Sequence, residues 1–167
     1  MKQTERPKIN PPLSAFDIVL EGLAAVAIIY MFVQLIMTWA TLPEQVPSHF
    51  NASGKADDWG SKSSMLILPM VAVVMYTGLT VVSRFPHTFN FPATLTESNA
   101  LKQYKLAKSL LSFLKLSVIG VFLYIQAFTI RTALGEAAGL GITFLVFTLL
   151  GTFIPIVVYM ILAARAK

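Results

Sequence analysis

The chain has 167 residues, no cysteine and a net charge of +5; 56% of it is hydrophobic and only 13% is charged. A soluble domain carries about 25% charged residues, so most side chains here do not meet water, and one core in a chain of this length cannot hide them all. Composition points to a membrane and excludes disulfide and thiol chemistry, and the basic residues are distributed by side rather than clustered as a nucleic-acid footprint.

A helix needs about 20 apolar residues to cross a bilayer. The stretches 18–40, 65–83, 110–130 and 142–164 meet that requirement. The expected fold is an all-α integral membrane protein, one domain over 1–167, with four transmembrane helices in a bundle. The first span, Ile18–Ala40, is interrupted by Glu21 and Gln34. It starts late, contains an acidic residue and lacks a small-x-small cleavage pattern, so it reads as a retained anchor rather than a signal peptide.

The longest polar stretch follows, VPSHFNASGKADDWGSK at 46–62. Pro43 and Pro47 hold the exit from the first helix extended. Asn51 and Gly54 suit a tight turn with left-handed backbone. Asp57 or Asp58 suits a cap on the next turn, and Trp39 and Trp59 suit the headgroup layer. An ordered extracytoplasmic loop is expected between the first two helices.

The second span, Met65–Ser83, has Pro69 near its start. In the connection RFPHTFNFPATLTESNALKQYKLAKS, Pro86 and Pro92 keep the first part extended, and Thr94 with Glu97 has capping-box spacing. From there a helix is expected to run into the third span as a cytoplasmic extension. It would lay Leu95, Leu101, Tyr104 and Leu111 on the membrane surface, with Lys102, Lys105 and Lys108 near headgroups. The third span carries Lys115 and Gln126. In the fourth, Pro155 cannot donate to the Gly151 carbonyl, which predicts a bend.

Basic residues set the sides. Lys2, Arg6, Lys8, Arg84, Lys102, Lys105, Lys108, Arg165 and Lys167 lie at the termini and in the middle connection, against Lys55, Lys62 and Arg131 in the other two loops. Positive charge marks the cytoplasmic side. Both termini are expected in the cytoplasm, the 46–62 loop outside, and the chain in a bacterial cytoplasmic (inner) membrane as a multi-pass protein.

Charges in the bilayer are costly and need partners. Glu21 and Lys115 sit at similar depth in the first and third spans, counting about 1.5 Å of rise per residue, and are expected to pair. Gln34 and Gln126 offer a second match. Both pairs read as helix–helix contacts more readily than as a proton or ion pathway.

The candidate ligand-binding residues are His49, Asn51, Asp57, Asp58 and Trp59. His49 with either Asp could bind a metal or move a proton, but metal sites usually take three or four ligands, and neither a second local His nor a Cys is present. Catalytic motifs such as HExxH, glycine-rich phosphate loops and a trusted Ser/His/Asp spacing are absent, so the chain is read as a non-enzyme with no cofactor or metal. Two other classes stay open: an interfacial enzyme using His49 and Asp57 or Asp58, and a small transporter using Glu21, Lys115, Gln34 and Gln126 beside the Pro155 bend.

The segment LPEQVPSHFNASGKADDW, through Pro43, Pro47, His49, Phe50, Asn51, Gly54, Asp57 and Trp59, resembles the domain at the N-terminus of SdpI-type bacterial immunity proteins. FNFPATLTESNALKQYKLAKSLL adds Asn90, Phe91, Pro92, Glu97, Asn99, Gln103 and Tyr104 to the resemblance. It implies a small polytopic membrane protein in a family whose immunity members protect their producer from a secreted peptide toxin and help signal its presence. The partner classes this admits are the lipid bilayer, an extracytoplasmic peptide, another membrane protein and a second copy of the chain; nucleic acid is not among them.

Overall fold

In the computed structural model, residues 6–166 are described. They form α1 (Ala15–Thr38), β1 (Gln45–Phe50), β2 (Ala56–Ser61), α2 (Ile67–Val82), α3 (Ala100–Ala133) and α4 (Gly141–Arg165). The four helices are long and apolar enough to cross a membrane, with a 3-10 turn at Lys62–Leu66 leading into α2. They agree with the expected spans. The all-α expectation needs one correction, because the polar stretch after α1 is an antiparallel β-hairpin. Its short, polar strands with two register shifts carry little of the alternation that signals a strand.

Helix ends follow local chemistry. Ser14 Oγ accepts from the Asp17 amide at 3.1 Å while Asp17 Oδ2 accepts from the Ser14 amide at 2.9 Å, a capping box that starts α1. Before α3 the reciprocal pair is Thr96 with Asn99 (2.9 and 3.3 Å), not Thr94 with Glu97. The Asn99 amide nitrogen also donates to the Thr94 carbonyl, which fixes the turn ahead of the helix. Past Leu134, Gly135 takes φ 75°, and the Glu136 and Gly135 amides close on the Arg131 and Thr132 carbonyls. That is a Schellman stop, which needs a residue free to adopt the left-handed conformation. In α4, Pro155 leaves the Gly151 carbonyl without its helical donor, and Ser117 Oγ of α3 donates to it at 2.9 Å. A neighbouring helix thus satisfies the backbone group that proline frees.

The long helix α3 is central and packs against α1, α2 and α4. Ala24, Ile28 and Met31 of α1, Ala72 of α2 and Ile119 of α3 form the middle of the core. A second layer, Leu35, Leu42, Val46, Met65 and Ile130, seats the hairpin on the helices. The outward faces are apolar: Ile36 and Met37 are each 76% exposed and Ile142 is 74% exposed. Continuous apolar surface of that kind suits lipid and not water.

The N-terminal segment, the 84–99 connection and the end of α4 meet at one end of the molecule. Arg6 Nη1 donates to the carbonyls of His87 (3.2 Å) and Phe89 (2.7 Å), and its guanidinium lies over the Phe91 ring. Gln103 Nε2 donates to the last carbonyls of α4, those of Ala163 and Ala166. Lys2 and Lys167 lie outside the described residues. Several expectations for this region change. Leu95 and Tyr104 are buried in a small core with Ala100, and only Leu101 of that group is largely exposed. Lys108 is buried and donates to Asn10 Oδ1 and the Pro11 carbonyl, tying down the N-terminal segment instead of facing headgroups.

Candidate functional site

The hairpin at the other end is built around Asn51. Its Oδ1 accepts from the Ser53 amide, the Ser53 hydroxyl and the Lys55 amide, at 3.0, 2.7 and 3.1 Å. Asn51 therefore shapes the turn with its side chain, while the left-handed position is Gly54, at φ 76°. The tip then docks on the α3–α4 loop: the Leu140 amide donates to the Gly54 carbonyl at 2.8 Å, and Lys55 bridges to Gly139. A Cβ on Gly139 would collide with that carbonyl oxygen, so glycine is required at the contact.

Across the strands His49 pairs with Asp58 in register, and Pro47 with Trp59. His49 Nδ1 lies 2.6 Å from Asp57 Oδ1, with side chains 66% and 41% exposed. Ser48 Oγ donates to Asp58 Oδ2 at 2.8 Å. Neither aspartate caps the next turn; both stay on β2, and the Ser61 hydroxyl accepts there from the Ser63 amide. Trp59 stands half-exposed on β2, whereas Trp39 closes α1 with the Lys62 ammonium over its ring.

Between the hairpin and the helices lies a cavity of about 490 Å³. Pro47, Ser48, His49 and Phe50 of β1 line one side; Ser64, Met65, Ile67 and Leu68 line the entry to α2; Ile125 and Thr129 of α3 with Leu140 and Phe144 complete it. Tyr124 holds the start of α4 in place, donating to the Leu140 carbonyl at 2.8 Å, and stacks on Phe128. Of the predicted ligand residues only His49 reaches the cavity; Asn51, Asp57, Asp58 and Trp59 do not line it. The aliphatic and aromatic lining was not legible in the sequence, because each contributor sits in a different element and reads as ordinary core.

Deep in the helices Lys115 Nζ lies 2.7 and 2.9 Å from the two Glu21 carboxylate oxygens. Ser112 Oγ donates to Glu21, Lys115 also donates to Thr80 Oγ1 at 2.7 Å, and its ammonium stands 4.6 Å from the Tyr76 ring centre. The only sequence signal of the supporting residues is the i, i+4 spacing of Tyr76 and Thr80, which marks one polar face of α2. Gln126 Nε2 donates to the Met31 carbonyl at 2.8 Å and reaches Gln34 Oε1 only at 3.3 Å, so the backbone is its better partner. Ala24, Ile28, Met31, Ala72 and Ile119 lie between the two polar groups. Among the described residues, no three His, Cys, Asp or Glu side chains come together as a metal site would need.

Residues 25–73, which contain the whole hairpin, match a domain of unknown function, DUF1648. An uncharacterized protein of Archaeoglobus fulgidus is 33% identical over 94 residues, covering 51% of this chain and 51% of that protein. The chain thus spans about half the length of that relative. No solved structure matches.

Proposed function

We propose that the chain is a non-enzymatic protein of the bacterial cytoplasmic membrane whose hairpin and underlying cavity recognise an amphipathic extracytoplasmic peptide. The observation that carries this reading is the cavity itself. Its lining sets the polar side chains of Ser48, His49 and Ser64 beside the apolar ones of Phe50, Leu68, Ile125 and Phe144, with Thr129 buried among them. A peptide with one apolar anchor and a polar or cationic neighbour suits that pattern, since aromatic and aliphatic anchors in desolvated pockets dominate peptide affinity. Asp57 and Asp58, beside His49 and Ser48, favour a cationic group. The resemblance to SdpI-type immunity domains supports a secreted peptide as the ligand class. The orientation rests on Arg6, Lys8, Arg84, Lys102, Lys105, Lys108 and Arg165, which share the end opposite the hairpin.

The test is binding of a panel of labelled amphipathic cationic peptides to the full chain in lipid nanodiscs, read by fluorescence anisotropy. Ile125→Trp, which fills the cavity, is expected to abolish binding, and Asp57→Asn to weaken it. Binding that ignores Ile125→Trp would overturn the reading. The oriented His49–Asp57 pair favours one second reading, an interfacial enzyme. That reading predicts stoichiometric metal in untagged protein, lost in His49→Ala.

A further inference from the structure

We infer that a groove between α3 and α4, at the end that carries the termini, is a binding site for one anionic phospholipid. The groove has a volume of about 370 Å³ and is lined by Phe16 of α1, Leu106, Leu110 and Phe113 of α3, and Pro155 and Tyr159 of α4, among others. It exists because α4 packs on α3 while α1 packs on another face of α3, so a gap is left across the central helix. Its surroundings are lipid-facing: Phe16 is 58% exposed, and Ile154 and Val158 are about half exposed. An acyl chain is therefore the natural filling.

Charge selects which lipid. On α3, Lys102 lies one turn ahead of Leu106, on the stripe that continues through Ser109 and Phe113. On α4, Arg165 continues the stripe of Val158 and Leu162 past the end of the groove. Both side chains are exposed, and among the described residues neither forms an ion pair. Of the other cations at this end, Arg6 is committed to backbone carbonyls and Lys108 to Asn10 and Pro11, while Lys8, Arg84 and Lys105 are exposed as well. The nearest carboxylate along α1, Asp17, is buried and turned into its cap on Ser14. An apolar groove whose mouth carries two free cations is complementary to a lipid phosphate with its chain beneath it. This site lies at the opposite end from the hairpin and does not depend on the peptide reading.

The test is native mass spectrometry of the full chain in mild detergent with equimolar phosphatidylglycerol and phosphatidylcholine of identical chains. Wild type is expected to retain one phosphatidylglycerol with a preference of at least roughly tenfold, since two cations each contributing up to about fivefold multiply to at most about twenty-fivefold. Lys102→Ala/Arg165→Ala should remove the preference, with circular dichroism showing the helices intact. Arg84→Ala, an exposed cation after α2, which does not line the groove, should leave it within about twofold; Ser109→Phe, which fills the groove, should release both lipids. Equal retention of the two lipids by wild type would overturn the inference. So would a preference that survives the double variant, equal loss in Arg84→Ala, lipid retention unchanged by Ser109→Phe, or displacement of the lipid by excess inorganic phosphate.

Discussion

Removing one partner of the Glu21–Lys115 pair should destabilise the protein more than removing both. Lys115 is 1% exposed and Glu21 15%, so Lys115→Met leaves a carboxylate with little water and only the Ser112 and Tyr76 hydroxyls to hold it. An uncompensated buried charge costs about 3–5 kcal/mol, and the partial exposure of Glu21 places Lys115→Met near the low end. Glu21→Gln strands the more deeply buried ammonium and belongs near the high end. In Glu21→Gln/Lys115→Met no charge remains, Ser112 keeps an acceptor, and Thr80 keeps its bond to the Tyr76 carbonyl. The double variant should lose about 1 kcal/mol or less, which gives a coupling energy of several kcal/mol. The assay is reversible unfolding in mixed detergent micelles of increasing dodecyl sulfate fraction, followed by far-ultraviolet circular dichroism for all four proteins. Losses that add in the double variant would refute the reasoning, because they would mean that the two charges find other partners.

Three further outcomes follow from particular contacts. Ser117→Ala should cost about 1–2 kcal/mol by orphaning the Gly151 carbonyl. The same change should cost less than half as much in a Pro155→Ala background, where the helix supplies its own donor; the same unfolding assay checks both. Gly139→Ala should undock the hairpin tip and speed hydrogen exchange at the Leu140 amide by at least roughly tenfold, equivalent to about 1.4 kcal/mol. Because the chain has no cysteine, single substitutions report topology cleanly. Ser53→Cys should react with an impermeant maleimide added to intact cells, and Ser98→Cys only after the membrane is opened.

The spans were legible because twenty apolar residues in a row have few other uses, and Glu21 with Lys115 stood out because charge in such a run demands a partner. Helix starts were less legible. Ser14 and Asp17 precede the apolar run and stand outside its pattern, and Thr96 with Asn99 lacks the Glu or Gln that usually marks a capping box. The hairpin escaped because its stability comes from the side chain of Asn51 and from docking against Gly139, more than eighty residues away in sequence. No local pattern encodes that approach. Lys108 looked like a headgroup ligand because its partners, Asn10 and Pro11, lie near the other end of the chain. The cavity was invisible for the same reason: six separate segments contribute one to four residues each, and none is unusual on its own.

The most direct measurement replaces Phe50 with a photo-crosslinking phenylalanine analogue in living cells, irradiates them, and identifies what is attached by mass spectrometry. A peptide adduct is expected at this position, and it should disappear when Ile125→Trp fills the cavity. Adducts to lipid alone, or a peptide adduct indifferent to Ile125→Trp, would contradict it.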